Sequence, residues 1–497
     1  MQRRRFLSAA LIGMTAKGEQ RVAGSFVNDA FPLGHRIRDH AAFAVPKQVQ
    51  RIPVVIVGGG MAGLSAAWRL NKKGFRDFVV LEMEPQPGGN SRWGENEITP
   101  YPWAAHYTPV PNRETVLVRE LFEEIGLVTE GKWEERYLCF SPQERLYLHG
   151  RWQEGIEPEI AATARDHEDY RRFDGLVSQF RSSGQFKIPM DLGASSSPLD
   201  RMSMTQWLDE NDLKSPYLRW FIDYSTRDDY GASAKDTSAF AGIHYFAGRE
   251  HDEKGPLTWP EGNGWILKRL LERVGKFVRP NAVVYSIRRE GQRFRVRTEG
   301  VEYIAESVIF AAPSFLAPYL IEGAPKPEGF VYSPWLTANL TLSRMPEDNA
   351  DLAWDNVIYD SPSLGYVVAT HMSLRSVIER SVWTYYWALA EGTPSANREL
   401  LLQKDWNYWK EAILNDLSRA HPNLRGCVSR IDIMRIGHAM ARPVPGFLGS
   451  ESRKRFAAGE SRLFYANSDV SGYSIFEEAQ YRGVKAADRA LRVIGKG

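Results

Sequence analysis

Between residues 53 and 82 two apolar runs flank a glycine turn and a mixed stretch, a pattern that predicts strand, turn, helix and strand. Pro53-Val54-Val55-Ile56-Val57 is β-branched on both parities, as expected of a strand covered on both faces. Met61 to Lys73 is rich in Ala and Leu and stops at Gly74, which favours a helix ending there. Phe78-Val79-Val80-Leu81 repeats the two-sided apolar pattern. Together these form a β-turn-α-β unit of about 30 residues.

Further along, the texture changes. Amphipathic stretches at Glu114 to Ile125, His167 to Ser182 and Met204 to Leu213 predict helices, and Gly264 to Val274 another. Ala282 to Ile287, Phe294 to Thr298 and Ser307 to Ala312 read as strands returning to the first domain. Residues 330 to 400 alternate short strands with turns, Arg398 to Ala420 is a helix, Arg462 to Ala466 a last strand and Phe476 to Ile494 a closing helix. Residues 20 to 50 have no clear period and read as an irregular lead-in.

Length makes one core too few: 497 residues imply two structural domains. The expected division assigns 51–115, 260–325 and 430–497 to a dinucleotide-binding domain and 116–259 and 326–429 to a substrate or cap domain. Residues 1–20 precede them as a signal and 21–50 as the lead-in. Lys+Arg of 63 against Asp+Glu of 61, with mixed signs, removes support for nucleic-acid binding. Even the longest apolar stretches, such as Ser307 to Leu320, contain prolines and fall short of the roughly 20 residues a spanning helix needs. Cys139 and Cys427, the two cysteines, form no CxxC motif, and no metal site is expected.

Arg3-Arg4-Arg5-Phe6-Leu7 followed by the apolar run Ser8 to Met14 reads as a twin-arginine export signal. The expectation is periplasmic or extracytoplasmic; a frayed basic terminus on a cytoplasmic protein is the alternative.

Gly58-Gly59-Gly60-Met61-Ala62-Gly63 fits GxGxxG in the right context, after a buried strand and opening a helix. Gly58 permits the turn, Gly60 the approach of a pyrophosphate, and Gly63 close helix–strand packing, while the helix N-terminus offers free N–H groups. Glu82, ending the second strand, suits ribose hydroxyls and disfavours a 2′-phosphate.

Glu82-Met83-Glu84-Pro85-Gln86-Pro87-Gly88-Gly89-Asn90-Ser91 resembles the segment after the second strand in the flavin amine oxidase, protoporphyrinogen oxidase and phytoene desaturase superfamily. The resemblance implies an α/β fold, with a Rossmann-like FAD-binding domain and an interleaved α+β substrate domain. It further implies that Gly88 and Gly89 bring the chain under the FAD pyrophosphate. Asn90 replaces the usual arginine and Arg92 lies two further on, so Ser91 and backbone are expected to share the phosphate contact. Val284 resembles the residue whose backbone meets adenine, and Asp469 stands where the superfamily binds ribitol. Ser307 to Pro313 resembles its strand ending in Ala-Ala-Pro. Phe476 and Ala479 open the last helix, whose N-terminal dipole faces the flavin N1–C2 carbonyl region. The likeness runs from about 53 to 494.

His106 stands where desaturase-like members often carry a histidine beside the flavin, and His438 precedes the final cofactor strand; both are candidate proton acceptors. Trp103, Tyr107, Trp259, Tyr385, Trp387 and Tyr473 are the candidate aromatic substrate pocket. Leu336 to Leu342 resembles the strand that carries a flavin-facing lysine in many amine oxidases, but lacks one. No covalent attachment context is present, which implies non-covalent FAD. The resemblance implies an FAD-dependent oxidoreductase that takes a hydride from a small amine or a C–C/C–N bond and passes electrons to oxygen or a carrier. A desaturase or isomerase of an apolar substrate, and a non-catalytic flavoprotein, are the alternatives. Oligomeric state stays open.

Overall fold

A computed structural model describes residues 21–27, 30–193, 197–250, 255–347, 352–373 and 377–496. The Arg3 to Leu7 motif and the run after it lie outside the described residues.

Val54–Val57, wholly buried, is the centre of a five-stranded parallel sheet. Phe78–Leu81 and then Val278–Arg279 lie on one side of it, Ser307–Phe310 and Leu463–Tyr465 on the other. Burial on both faces explains the unbroken apolar runs. One face packs on the helices Met61–Lys72, Gly264–Val274 and Phe476–Val493, with Val54 and Ile56 pointing into that core. From the other face Val55 and Val57 meet a four-stranded sheet of Ser286–Glu290, Arg293–Arg297, Val301–Ala305 and Gln48–Arg51.

The second region is an eight-stranded sheet. Its long members Val331–Leu342 and Val428–Arg442 run antiparallel to each other, and beyond Val331–Leu342 follow Ser381–Ala388, Gly365–Val368, Asp355–Ile358, Glu144–Leu148 and Arg151–Glu154. One face packs Leu340, Trp383 and Tyr385 on the helices Pro394–Gln403 and Trp406–Leu417. Against the other lie Trp335, Val357, Val367 and Tyr386, facing Tyr224 of the helix Pro216–Tyr230.

Several expectations need correction. Residues 20 to 50 are not an irregular lead-in: Ala23–Phe26 pairs with Val428–Arg442, Phe31–Arg38 is a helix, and Gln48–Arg51 pairs with Val301–Ala305. Both strands are short edge strands, so their order comes from the partner edge rather than from a pattern of their own. Of the three expected strands, Ser307–Phe310 joins the parallel sheet itself, while Ser286–Glu290 and Arg293–Arg297 build the separate sheet that covers it. Their alternation of exposed arginines with Ile287, Phe294 and Val296 fits a sheet covered on one face only. The helix expected over Arg398 to Ala420 is two, because Asp405 accepts the Tyr408 N–H at 2.8 Å and caps a new start.

The boundary drawn at 430 falls inside a 15-residue strand, Val428–Arg442, that belongs to the eight-stranded sheet. Likewise the helix Val116–Glu124, assigned to the cap, packs its Val118, Leu121 and Phe122 into the core beneath the parallel sheet. Cys139 and Cys427 are both buried free thiols.

Candidate functional site: a dinucleotide cradle and an acidic chamber

Local chemistry shapes the cradle. Gly58 sits at φ +102°, where a Cβ is strained, and its N–H donates to Leu81 O at 2.9 Å, closing the turn between the first two strands. A Cβ on Gly63 would lie 1.9 Å from Gly58 O, so only glycine lets the helix seat on the turn. Gly60 differs, since the nearest atom to an added Cβ is Gly89 Cα at 4.0 Å and the space is open. No side chain caps the helix Met61–Lys72, whose N-cap residue is Gly60, so its first N–H groups lack a side-chain partner at the cavity wall.

One continuous cavity runs from Ala282, Val283 and Val284 past Glu82, Gly58, Gly60, Met61 and Ala62. Gly88, Gly89, Asn90 and Ser91 form its next wall, and Asp469, Phe476 and Ala479 line the far end. Glu82 receives the Gly59 N–H at 2.7 Å and the Glu84 N–H at 2.8 Å; burial raises its carboxyl above the usual range and the Gly59 N–H opposes that shift. The helix Phe476–Val493 begins at the far end with no side-chain cap on Ile475. Space at Gly60, two uncapped helix starts and an acid at the ribose position fit an extended dinucleotide.

Among the expected cofactor residues, Gly63 has the packing part expected of it, Arg92 stands away from the cavity and Asp469 lines it with its carboxylate engaged. Gly63 packs against the turn and does not line the cavity. Arg92 is withdrawn from it, because it pairs with Glu84 and donates to Gly89 O at 3.0 Å, bracing the Gly88–Gly89 turn from behind. Asp469 lines the wall, yet its carboxylate already accepts from Ser314 N, Ser314 Oγ and Tyr332 OH at 2.7–2.8 Å.

Beyond the cradle lies a chamber. Asn90, Ala105, Asn263, Ala439, Ser474, Ile475 and Phe476 line both. Thr337 and Tyr386 come from two sheet strands, His106 from the loop after Pro102 and Tyr107 from the short strand Tyr107–Thr108 that follows it, and Asp228 and Asp229 from the last turn of Pro216–Tyr230. Its outer part adds Glu144, Tyr224, His244, Tyr245, Trp354 and Asp355. His106 donates from Nδ1 to Ala104 O at 3.2 Å, which leaves Nε2 as an acceptor, and its ring stacks on Tyr386 at 4.4 Å. Burial lowers its pKa to about 4, so the ring is neutral near pH 7. His438 lines the cradle and not the chamber, stacked on Phe315 at 4.2 Å and held to about 4 by burial and Arg398.

Of the six aromatics expected in the substrate pocket, Tyr107 alone lines the chamber. Tyr385 and Trp387 stand on the opposite parity of their strand from Tyr386, and the Tyr385 hydroxyl donates to Asp416 at 3.0 Å in the core behind the sheet. Trp259 stacks on Trp265 at 5.0 Å in the core under the parallel sheet. Tyr473 stacks on His244, and Trp103 packs edge-on to Tyr101. Large buried aromatics fill cores more often than sites. The aromatic segment Trp383 to Trp387 was legible as pocket-forming, though not that Tyr386 is its chamber residue; Thr337, Asp228, Asp229, Glu144 and Asp355 were not legible. A helix of 15 residues ending in Asp228-Asp229, with acids at its unfavourable end, was the available signal.

Residues 56–125 match the NAD(P)-binding Rossmann-like domain family. The chain is 26% identical over 285 residues to the flavin-containing amine oxidase of Oncorhynchus mykiss, covering 52% of this chain and 50% of that protein. It is also 26% identical over 285 residues to the zeta-carotene-forming phytoene desaturase of Myxococcus xanthus, covering 52% of each. It thus spans about half the length of these relatives. Putrescine oxidase bound to putrescine superposes with TM-score 0.68 at 16% identity, over 89% of this chain and all of that one. Over about half its length the chain is thus similar to a flavin-containing amine oxidase and to a phytoene desaturase. The chain is a mixed α/β protein with a Rossmann-like dinucleotide-binding domain, in the fold of the amine oxidases.

Proposed function

We propose that the protein is an FAD-dependent oxidoreductase that oxidises a small organic molecule, an amine or a C–C/C–N bond, in the chamber beside the cradle. The observation that carries this reading is the shared wall: Asn90, Ala105, Asn263, Ala439, Ser474, Ile475 and Phe476 face both cavities, so a substrate in one abuts a dinucleotide end in the other. FAD bound in the cradle, non-covalently, supplies the two-electron acceptor. The cradle's uncapped helix starts and glycine backbone hold the pyrophosphate, and Glu82 takes the ribose hydroxyls. Within the chamber Tyr386, Trp335 and Met440 exclude water, and neutral His106 offers Nε2 as a proton acceptor. Thr337 stands on the strand where many amine oxidases carry lysine, so any water held there is ordered by a hydroxyl. Anaerobic mixing of the purified protein with a panel of amines and unsaturated acids tests the reading: bleaching by at least one C–H donor is expected, and a flavin inert to all of them contradicts it.

We also propose export, on the Arg3 to Leu7 pattern; unchanged fractionation of an Arg3→Lys/Arg4→Lys chain would remove it.

A further inference from the structure

The helix Phe31–Arg38 lies on the surface and has one buried residue, Ile37, which is also a wall of the cradle. Ile37 belongs to the same apolar cluster as Leu81, Val284 and Leu320, three more residues of that wall. Every other residue of the helix is half-buried or exposed, so here the cavity wall is one helix thick.

The chain that follows this helix is held lightly. Residues 39 to 51 include no buried side chain. Phe43 stacks on Tyr285 at 4.7 Å, and the Tyr285 hydroxyl donates to Ala44 O at 3.2 Å. Arg36 lies over the Phe43 ring at 4.3 Å and pairs with Glu299 at 2.9 Å. Gln48–Arg51 then ends the arm as an exposed strand on the edge of Val301–Ala305. At the start of the helix, Arg435 of the strand Val428–Arg442 lies over the Phe31 ring at 5.4 Å. The arm thus runs from the eight-stranded sheet to the four-stranded one and crosses the cradle between them. Its neighbours in the wall are of another kind, because Leu81 and Val284 are buried among the strands themselves. A segment with few buried apolar contacts opens at lower free energy than the core it covers. The family match begins at residue 56, beyond the arm.

We propose that residues 31–51 are a latch over the cradle: the dinucleotide enters and leaves when this arm lifts, and Ile37 shuts the cavity when it seats. The inference rests on the dinucleotide reading of the cradle and adds how that site exchanges its ligand. A latch and a passive wall differ in one respect. Loosening a latch quickens entry and exit together and leaves affinity unchanged, whereas losing a wall contact quickens exit and weakens affinity by the same factor.

Dilution of the flavin-loaded full chain reads both quantities: the rate of FAD fluorescence recovery gives release, and its final level over a series of dilutions gives the dissociation constant. Phe43→Ala, whose side chain does not line the cavity, is expected to quicken release by about three- to tenfold, the range for one aromatic stack, with affinity within about twofold of wild type. Arg36→Ala, a milder change at the same contact, should act in the same direction. Ile37→Ala removes a wall contact as well and should weaken affinity. Release unchanged in both Phe43→Ala and Arg36→Ala, or quickened only in step with lost affinity, would overturn the latch and leave the dinucleotide reading standing. A purified chain that holds no FAD and takes none up would overturn both.

Discussion

The cradle and the chamber meet at one wall yet are built in opposite ways. Backbone makes most of the cradle: glycines and uncapped helix starts, with the acids Glu82 and Asp469 beside them. The chamber is made of side chains, from His106 to Glu477, brought together by two long strands, a helix end and a loop. A backbone site binds what is common to many ligands, a pyrophosphate, and tolerates little change. A side-chain site sets specificity, and here it gathers acids at a cost in repulsion.

The largest effects should separate these two constructions within the cradle itself. Gly60→Val places its side chain in open cavity, so the protein should stay folded while losing nearly all flavin. Gly63→Val drives a Cβ to 1.9 Å from Gly58 O and should instead yield little folded protein. Flavin per folded chain and circular dichroism read both; a folded, fully yellow Gly60→Val protein would show that the cradle is misassigned.

Next comes the chamber wall. His106→Ala should retain flavin and slow its reduction by a saturating substrate by about 10²-fold, the low end for a lost proton acceptor, because the ring is a weak base. His438→Ala, on the cradle side, should instead alter flavin binding more than rate. Stopped-flow reduction distinguishes them, and equal rates in wild type and His106→Ala would remove the histidine from the chemistry.

The smallest effect is on stability. Asp228 binds its proton more tightly folded than unfolded, so its contribution is full below about pH 4 and drains away as pH rises through about 7. Buried His106 and His438, with folded values near 4, act in the opposite sense: their stabilisation is present above the ordinary histidine range near 6.5 and is lost on acidification toward 4. Asp228→Asn without ligand should therefore match wild type near pH 4 and melt roughly 2 °C higher at pH 8. An Asp228→Asn protein less stable at pH 8 would mean that the carboxylate is paired in the fold.

Legibility in the sequence followed the same divide. The strand Val54–Val57, its turn, its helix and Glu82 are contiguous, and each residue type has one local reason to be there, so motif and role could be read together. Tyr386 could not be read that way. Its neighbours Tyr385 and Trp387 are equally aromatic, and parity on the strand, fixed by which face meets the helices Pro394–Gln403 and Trp406–Leu417, decides which ring reaches the chamber. Glu144 and Asp355 lie far apart in the chain and become a pair through strand register alone. Arg92 stands two residues beyond the place of the usual arginine, and Glu84, eight residues before it, claims its guanidinium.

All of this depends on what fills the cradle. Acid release from the purified chain followed by identification and quantification of the nucleotide is the direct test. One FAD per chain, lost in Gly60→Val, is the expected result. A chain that comes colourless, takes up no FAD and binds a nicotinamide dinucleotide instead would contradict the account.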